Sequence, residues 1–124
     1  MVFWAIYAAA AFSALWFVIH TFVGGRQVAL VIRSDTTLDP MVRTVAWMVW
    51  HMVTVTLLFM AGIFAAAGLT ASRELLGAGT ILAGLMAAAG IFAPYALKHP
   101  FSSVPQGFLF LPVVALGAFG MFGG

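Results

Sequence analysis

The sequence predicts an all-α membrane protein, an up-and-down bundle of four transmembrane helices that forms a single domain over residues 1–124. The first observation is composition: 65% of the residues are hydrophobic and 6% are charged, against about 25% charged in soluble domains. The second is that the apolar residues fall into four runs, each near the ~20 residues needed to cross ~30 Å of hydrocarbon. No alternation typical of barrel strands is present, and backbone amides in lipid must bond internally, so these runs are expected to be helices.

The helix ends are predicted from capping residues and prolines. Asp39 is expected to cap the second helix, with Pro40 at its first helical position. Thr70 or Ser72 is expected to cap the third, and Pro100 to end it. The predicted helices run roughly over 2–23, 41–69, 72–98 and 105–123.

Two stretches leave alternatives open. Arg26–Arg33 brackets six mostly apolar residues with two arginines, and it could continue the first helix past Gly24, lie in the headgroup region or be a plain loop. Pro94 and Pro112 lie inside predicted helices, where each removes a backbone hydrogen bond and is expected to cause a kink.

The basic residues predict the orientation. Loops 24–43 and 98–106 hold four of the five bases, namely Arg26, Arg33, Arg43 and Lys98. Positive charge is retained in the cytoplasm, so both loops are expected to be cytoplasmic and both termini periplasmic, in a bacterial inner membrane.

Composition also excludes several classes of function. The chain has no cysteine, which excludes disulfides, thiolate zinc sites and iron–sulfur clusters. A net charge of +2 from scattered bases does not make a nucleic-acid surface, so the expected surroundings are the lipid bilayer and other membrane proteins. Asp35, Asp39 and Glu74 are all predicted at the interfaces, and no catalytic constellation is visible, so no enzymatic activity is predicted.

Two histidines are the candidate functional residues. His51 belongs to a polar stripe with Thr44, Trp47 and Thr54, and His20 to a second stripe with Ser13 and Trp16. Ionisable side chains within a span usually face the bundle interior or a water-filled cavity. Because consecutive helices joined by a loop are usually neighbours, His20 and His51 are predicted to face each other at similar depth.

Several roles fit such a pair. Two histidines on facing helices could ligate haem b, or bind copper together with Met48 and Met52, since thioethers suit Cu(I). The M-x-x-x-M spacing resembles the methionine pair of high-affinity copper uptake transporters, over five residues only. Proton relay or quinone binding with Tyr95 is a further role, and hydrogen bonding between helices is the simplest. The sequence therefore names no cofactor beyond haem b or copper as candidates.

Small residues four apart mark the predicted interfaces. Such pairs let helices approach closely, and the ones chosen here are Gly62 with Ala66 and Gly84 with Ala88. The predicted function is a small, non-enzymatic accessory or structural subunit packing against a larger membrane complex, with self-association as the other use of these faces. The alternatives are a haem- or copper-binding membrane protein and a small homo-oligomeric transporter.

Overall fold

The prediction of an all-helical protein is confirmed. A computed structural model describes residues 1–124, and it contains five α-helices, one π-helical segment and one 3₁₀-helix. In chain order these are α1 Phe3–Val18, the π segment Ile19–Ala29, α2 Leu30–Ser34, α3 Pro40–Thr70, α4 Arg73–Ala96, the 3₁₀-helix Gln106–Phe110 and α5 Leu111–Phe122. Three continuous helices are long and apolar enough to cross a membrane, Phe3–Ser34, Pro40–Thr70 and Arg73–Ala96, and Gln106–Phe122 is a shorter apolar helix.

The first helix is longer than predicted. It continues past Gly24 through the π segment and α2 to Ser34, so the expected loop over 24–43 shrinks to residues 35–39. Of the three alternatives for Arg26–Arg33, the helical one is therefore correct. The π geometry is visible at the end of the segment, where the Leu30 amide donates to the carbonyl of Gly25, five residues back. Two adjacent glycines lower helical propensity, and that signal favoured a break that does not occur.

The predicted helix caps agree better with the structure than the predicted end of the first helix does. The Asp39 carboxylate accepts hydrogen bonds from the amides of Met41 and Val42, at 2.9 and 3.4 Å, and Pro40 begins α3. Ser72 rather than Thr70 caps α4, accepting from the Leu75 amide at 3.2 Å. These polar side chains satisfy amides that have no helical partner.

The helices form a ring in which neighbours in sequence are neighbours in space. α1 packs against α3 and α5, and α4 packs against α3 and α5. The fully enclosed core is small, with 20 of 124 residues buried, as expected if lipid replaces water around most of the surface. Its largest apolar side chains are Ile6, Met60, Phe64, Leu76 and Val113.

Glycines permit the closest approaches between helices. A Cβ built on Gly90 would stand 2.6 Å from the Cα of Gly107, so α4 and the 3₁₀-helix are in backbone contact. A Cβ on Gly120 would meet Ile6 at 2.8 Å, which brings α5 close to α1. Near the same end the Val2 amide donates to the Gly120 carbonyl at 2.8 Å, so both termini lie at one end of the bundle.

Pro112 is placed differently from the prediction. It lies within the continuous helix Gln106–Phe122, but in the first turn of α5, where the 3₁₀ geometry ends. Its missing amide hydrogen therefore falls at the change from 3₁₀ to α geometry rather than in the middle of an α-helix. Pro94 is interior to α4 as expected, and it removes the donor for the Gly90 carbonyl, at the point where Gly107 approaches.

The predicted small-residue contacts are absent within the chain. A Cβ on Gly62 or Gly84 would meet no atom within 4 Å, so neither glycine supports a contact between this chain's own helices. Within this chain, therefore, no helix packs directly on either glycine. Contact of the Gly62–Ala66 and Gly84–Ala88 faces with another chain stays a prediction.

Candidate functional site

His20 lies between the first helix and α3, in the π segment. Its Nε2 is 3.0 Å from the Thr54 hydroxyl oxygen and 3.3 Å from the Trp50 carbonyl oxygen, both on α3. The imidazole stacks on the Trp50 ring, with centroids 4.0 Å apart and planes inclined by 15°. Trp50 is held in turn by Gly24, where a Cβ would stand 3.0 Å from the indole ring. The predicted meeting of the two polar stripes thus takes place between His20 and Thr54.

The hydrogen bonds assign a tautomer to His20. The Thr54 hydroxyl is 3.1 Å from the Trp50 carbonyl, which can only accept, so the hydroxyl donates to it. The lone pairs of that hydroxyl are then free to accept from His20, which places a hydrogen on Nε2. A neutral imidazole that is protonated at Nε2 has its free lone pair on Nδ1. A metal ion would have to use Nδ1 or displace Thr54.

His51 lies in a different environment. It is exposed within the chain, and its ring meets the Trp47 ring edge-on at 4.1 Å and 75°. The bundle therefore does not enclose His51, contrary to the prediction that both imidazoles point into it. His51 instead lines the cleft between the extended first helix and α3.

A groove runs along the cleft between the extended first helix and α3. Its volume is about 350 Å³. The first helix contributes Thr21, Phe22, Gly25, Arg26, Ala29, Leu30 and Arg33. The second wall is made by Trp47, Trp50, His51 and Thr54. We refer to this feature as the arginine groove.

A second recess of about 300 Å³ is lined by Arg33, Arg43, Thr44 and Trp47, so it shares Arg33 and Trp47 with the arginine groove. Arg33 forms the boundary between the two spaces, with its guanidinium carbon 5.9 Å from the centre of the Trp47 ring, within cation–π range. Arg43 is fixed by a hydrogen bond from Nη1 to the Asp35 carbonyl at 2.9 Å. Three guanidinium groups therefore line two adjoining recesses at this end of the hairpin.

The nearby carboxylates are engaged in the turn. Asp35 accepts from both the amide and the hydroxyl of Thr37, at 2.7 and 2.6 Å, and these hydrogen bonds hold the pKa of its carboxyl below the ordinary value of 3.8. Asp39 caps α3. The guanidinium groups of Arg26 and Arg33 are thus left without a carboxylate partner at this turn.

The other sequence candidates do not converge with the histidines. Met48 and Met52 are exposed, at 50% and 56%, and lie on the side of α3 away from the core. The structure contains no group of three or more histidine, cysteine, aspartate or glutamate side chains placed to hold a metal ion.

In the first helix, the Ser13 hydroxyl donates to the Ala9 carbonyl at 2.8 Å, and the Trp16 indole nitrogen is buried without a hydrogen-bond partner.

The arginine groove was not predicted from the sequence, although several of the polar residues that line it were identified there. The signal was available in the spacing of Arg26 and Arg33, seven apart and therefore on one helical face if the helix continued. The two arginines could be predicted to share a face only if the helix was expected to continue through Gly24-Gly25. No protein-family model, curated protein or solved structure matches this chain.

Proposed function

We propose that the protein is a small, non-enzymatic integral membrane subunit whose four helices cross the bilayer and pack against another membrane protein. The observation that carries the proposal is the uncovered small-residue face on α3 and α4. Gly62 lies about 180° around α3 from the buried residues Met60 and Phe64, at 100° per residue. Gly84 and Ala88 lie on a flank of α4 with open space above the glycine. In membranes such faces are where helices of different chains approach.

The dimensions of the helices support four crossings. The 3₁₀-helix and α5 together are about 28 Å long at ~2.0 and ~1.5 Å per residue, close to the ~30 Å of a hydrocarbon core. An even number of crossings agrees with termini at one end, joined by the hydrogen bond from Val2 to Gly120. The excess of bases at the opposite end favours periplasmic termini in a bacterial inner membrane. A C-terminal alkaline phosphatase fusion should then be active and a fluorescent-protein fusion dark, and the reverse pattern would refute the orientation.

Affinity purification in mild detergent tests the partner. We expect the tagged chain to carry a larger membrane protein in fixed stoichiometry. Gly62→Leu and Gly84→Leu should lose that partner and keep the thermal stability of the isolated chain, because a Cβ added at either position meets no atom of another helix within 4 Å. Ala89→Leu is the matched control, since Ala89 is exposed on another side of α4. Equal recovery of the partner by all variants would refute the interface.

The same purification separates the alternatives. Recovery of copies of this chain alone would favour self-association, as a small homo-oligomeric transporter requires. A Soret band would favour a haem bound through His20 and His51, and stoichiometric copper would favour the arrangement with Met48 and Met52.

A further inference from the structure

We propose that the arginine groove binds the phosphate of an anionic phospholipid, with Arg26 and Arg33 as its ligands and an acyl chain lying along Phe22 and the Trp50 ring. The inference rests on the proposed placement of the four helices in the bilayer, but not on the proposed protein partner, because it concerns a different surface of the molecule. It begins from charge: two guanidinium groups line a cleft between helices, and neither has a carboxylate partner at this turn. Planar guanidinium donors match phosphate oxygens in geometry as well as charge.

The position of the groove along the helix points to a lipid. Arg26 and Arg33 are seven residues apart, or about 10 Å along the axis. The headgroup layer of one leaflet is about 5–8 Å thick, so the two arginines cover its depth. Phe22 lies about one turn deeper, where acyl chains begin. The groove is therefore cationic at headgroup depth and apolar beneath it, which matches the phosphate headgroup and the acyl chains of a phospholipid.

The aromatic residues complete the fit. Trp47 is 37% exposed and carries Arg33 over its ring, so the guanidinium is held above an apolar wall rather than extended into water. Tryptophan prefers the boundary between headgroups and hydrocarbon. Thr21 and His51 add polar atoms on the two walls. A soluble anion needs none of this apolar surface, which is why a phospholipid is the occupant that accounts for the whole groove.

Basic pockets between transmembrane helices on the cytoplasmic side are a general means of holding anionic headgroups. The predicted orientation places this groove on that side, where anionic lipids attract clustered bases. The opposite end of the bundle offers no equivalent, because its single base, Arg73, donates from Nη2 to the Met121 carbonyl at 3.0 Å.

Tryptophan quenching by brominated lipid tests the proposal on the full chain. The protein is reconstituted in phosphatidylcholine vesicles containing a small fraction of dibrominated phosphatidylglycerol, or of dibrominated phosphatidylcholine at the same fraction. We expect stronger quenching, saturating at a lower fraction, with phosphatidylglycerol. Trp47→Phe with Trp50→Phe should abolish the difference, because Trp4 and Trp16 do not line the groove.

Charge variants locate the binding site. Arg33→Gln and Arg26→Gln should each lower the relative affinity for phosphatidylglycerol about fivefold. Lys98→Gln is the matched control: it removes one charge at the same end of the bundle but outside the groove, and it should leave the preference unchanged. Arg33→Lys should retain part of the affinity, because it keeps the charge and loses the planar fork.

Three outcomes would overturn the proposal. Equal quenching by the two brominated lipids would show that the groove does not select an anionic headgroup. Equal losses in Arg33→Gln and Lys98→Gln would show a diffuse charge effect rather than a site. Displacement of the phosphatidylglycerol signal by inorganic phosphate at constant ionic strength would identify a small-anion site instead of a lipid site.

Discussion

Replacing Gly90 by alanine should destabilise the bundle, because Gly90 and Gly107 bring two backbones into contact. An alanine Cβ at position 90 would stand 2.6 Å from the Cα of Gly107 and 2.9 Å from its nitrogen. Ordinary contact begins at 3.4 Å, so α4 and the 3₁₀-helix must separate by about 0.8 Å. Backbone atoms cannot rotate aside as a side chain can. A gap of 0.5–1 Å forfeits roughly a quarter to a half of each dispersion contact along the seam.

Overpacking of this kind costs about 1–3 kcal/mol, and we expect Gly90→Ala to lower the free energy of unfolding within that range. The assay is unfolding by titration with a denaturing detergent, followed by circular dichroism. Gly84→Ala is the control on the same helix, where the added methyl meets nothing within 4 Å, so helix propensity leaves stability unchanged or raises it by up to about 1 kcal/mol. Equal effects of the two substitutions would refute the inference that the Gly90–Gly107 approach holds α4 against the 3₁₀-helix.

Three further predictions concern the first hairpin and the turn that follows it. A double-mutant cycle of His20→Ala and Thr54→Val should give a coupling of about 0.6 kcal/mol and no more than about 1.7, and zero coupling would contradict the hydrogen bond between them. Ala71→Gly should raise stability by up to about 1 kcal/mol in the same unfolding assay, because Ala71 ends α3 with φ of 52°, and a loss of stability would contradict this. Since hydrogen bonds from Thr37 lower the pKa of Asp35, the carboxylate contributes its full stabilisation above the unfolded value of 3.8 and loses it as pH falls through the lower folded value. The Thr37 amide resonance should titrate below 3.8 and not titrate in Asp35→Asn; a midpoint at or above 3.8 would be the contrary result.

Local signals predicted the helix ends well because their causes are local. Asp39 caps α3 and Ser72 caps α4, and each needs only a side chain within three residues of the amides that it accepts from. The prediction that the first helix ends before Gly24-Gly25 was wrong. Glycine weakens a helix through backbone entropy, but packing against α3 decides whether this helix persists. Gly24 lies close to Trp50, and a Cβ there would stand 3.0 Å from the indole ring, so a larger residue would have to displace the ring.

Tertiary contacts were predicted less well, for a reason that the glycines illustrate. Gly62, Gly84 and Gly120 each have a small residue four positions further on, yet of the three only Gly120 lies against a neighbouring helix. A small residue four positions from another shows that a helix can be approached closely on that face. It does not show whether the approaching helix belongs to the same chain, because that depends on how each helix is rotated within the ring.

The lengths of the helices explain why the arginines lie along an open cleft. The first helix and α3 are about 48 and 46 Å long at ~1.5 Å per residue, while the 3₁₀-helix and α5 together are about 28 Å. All four helices can therefore meet only in the half of the molecule that holds the termini, and His20 lies where that half ends. α4 is longer, about 36 Å for its 24 residues, so only beyond its end do the first helix and α3 run on as a pair, with Arg33 and Arg43 along the cleft between them. The shortness of α4 and α5 thus leaves open the surface on which this chain gathers unpaired positive charge.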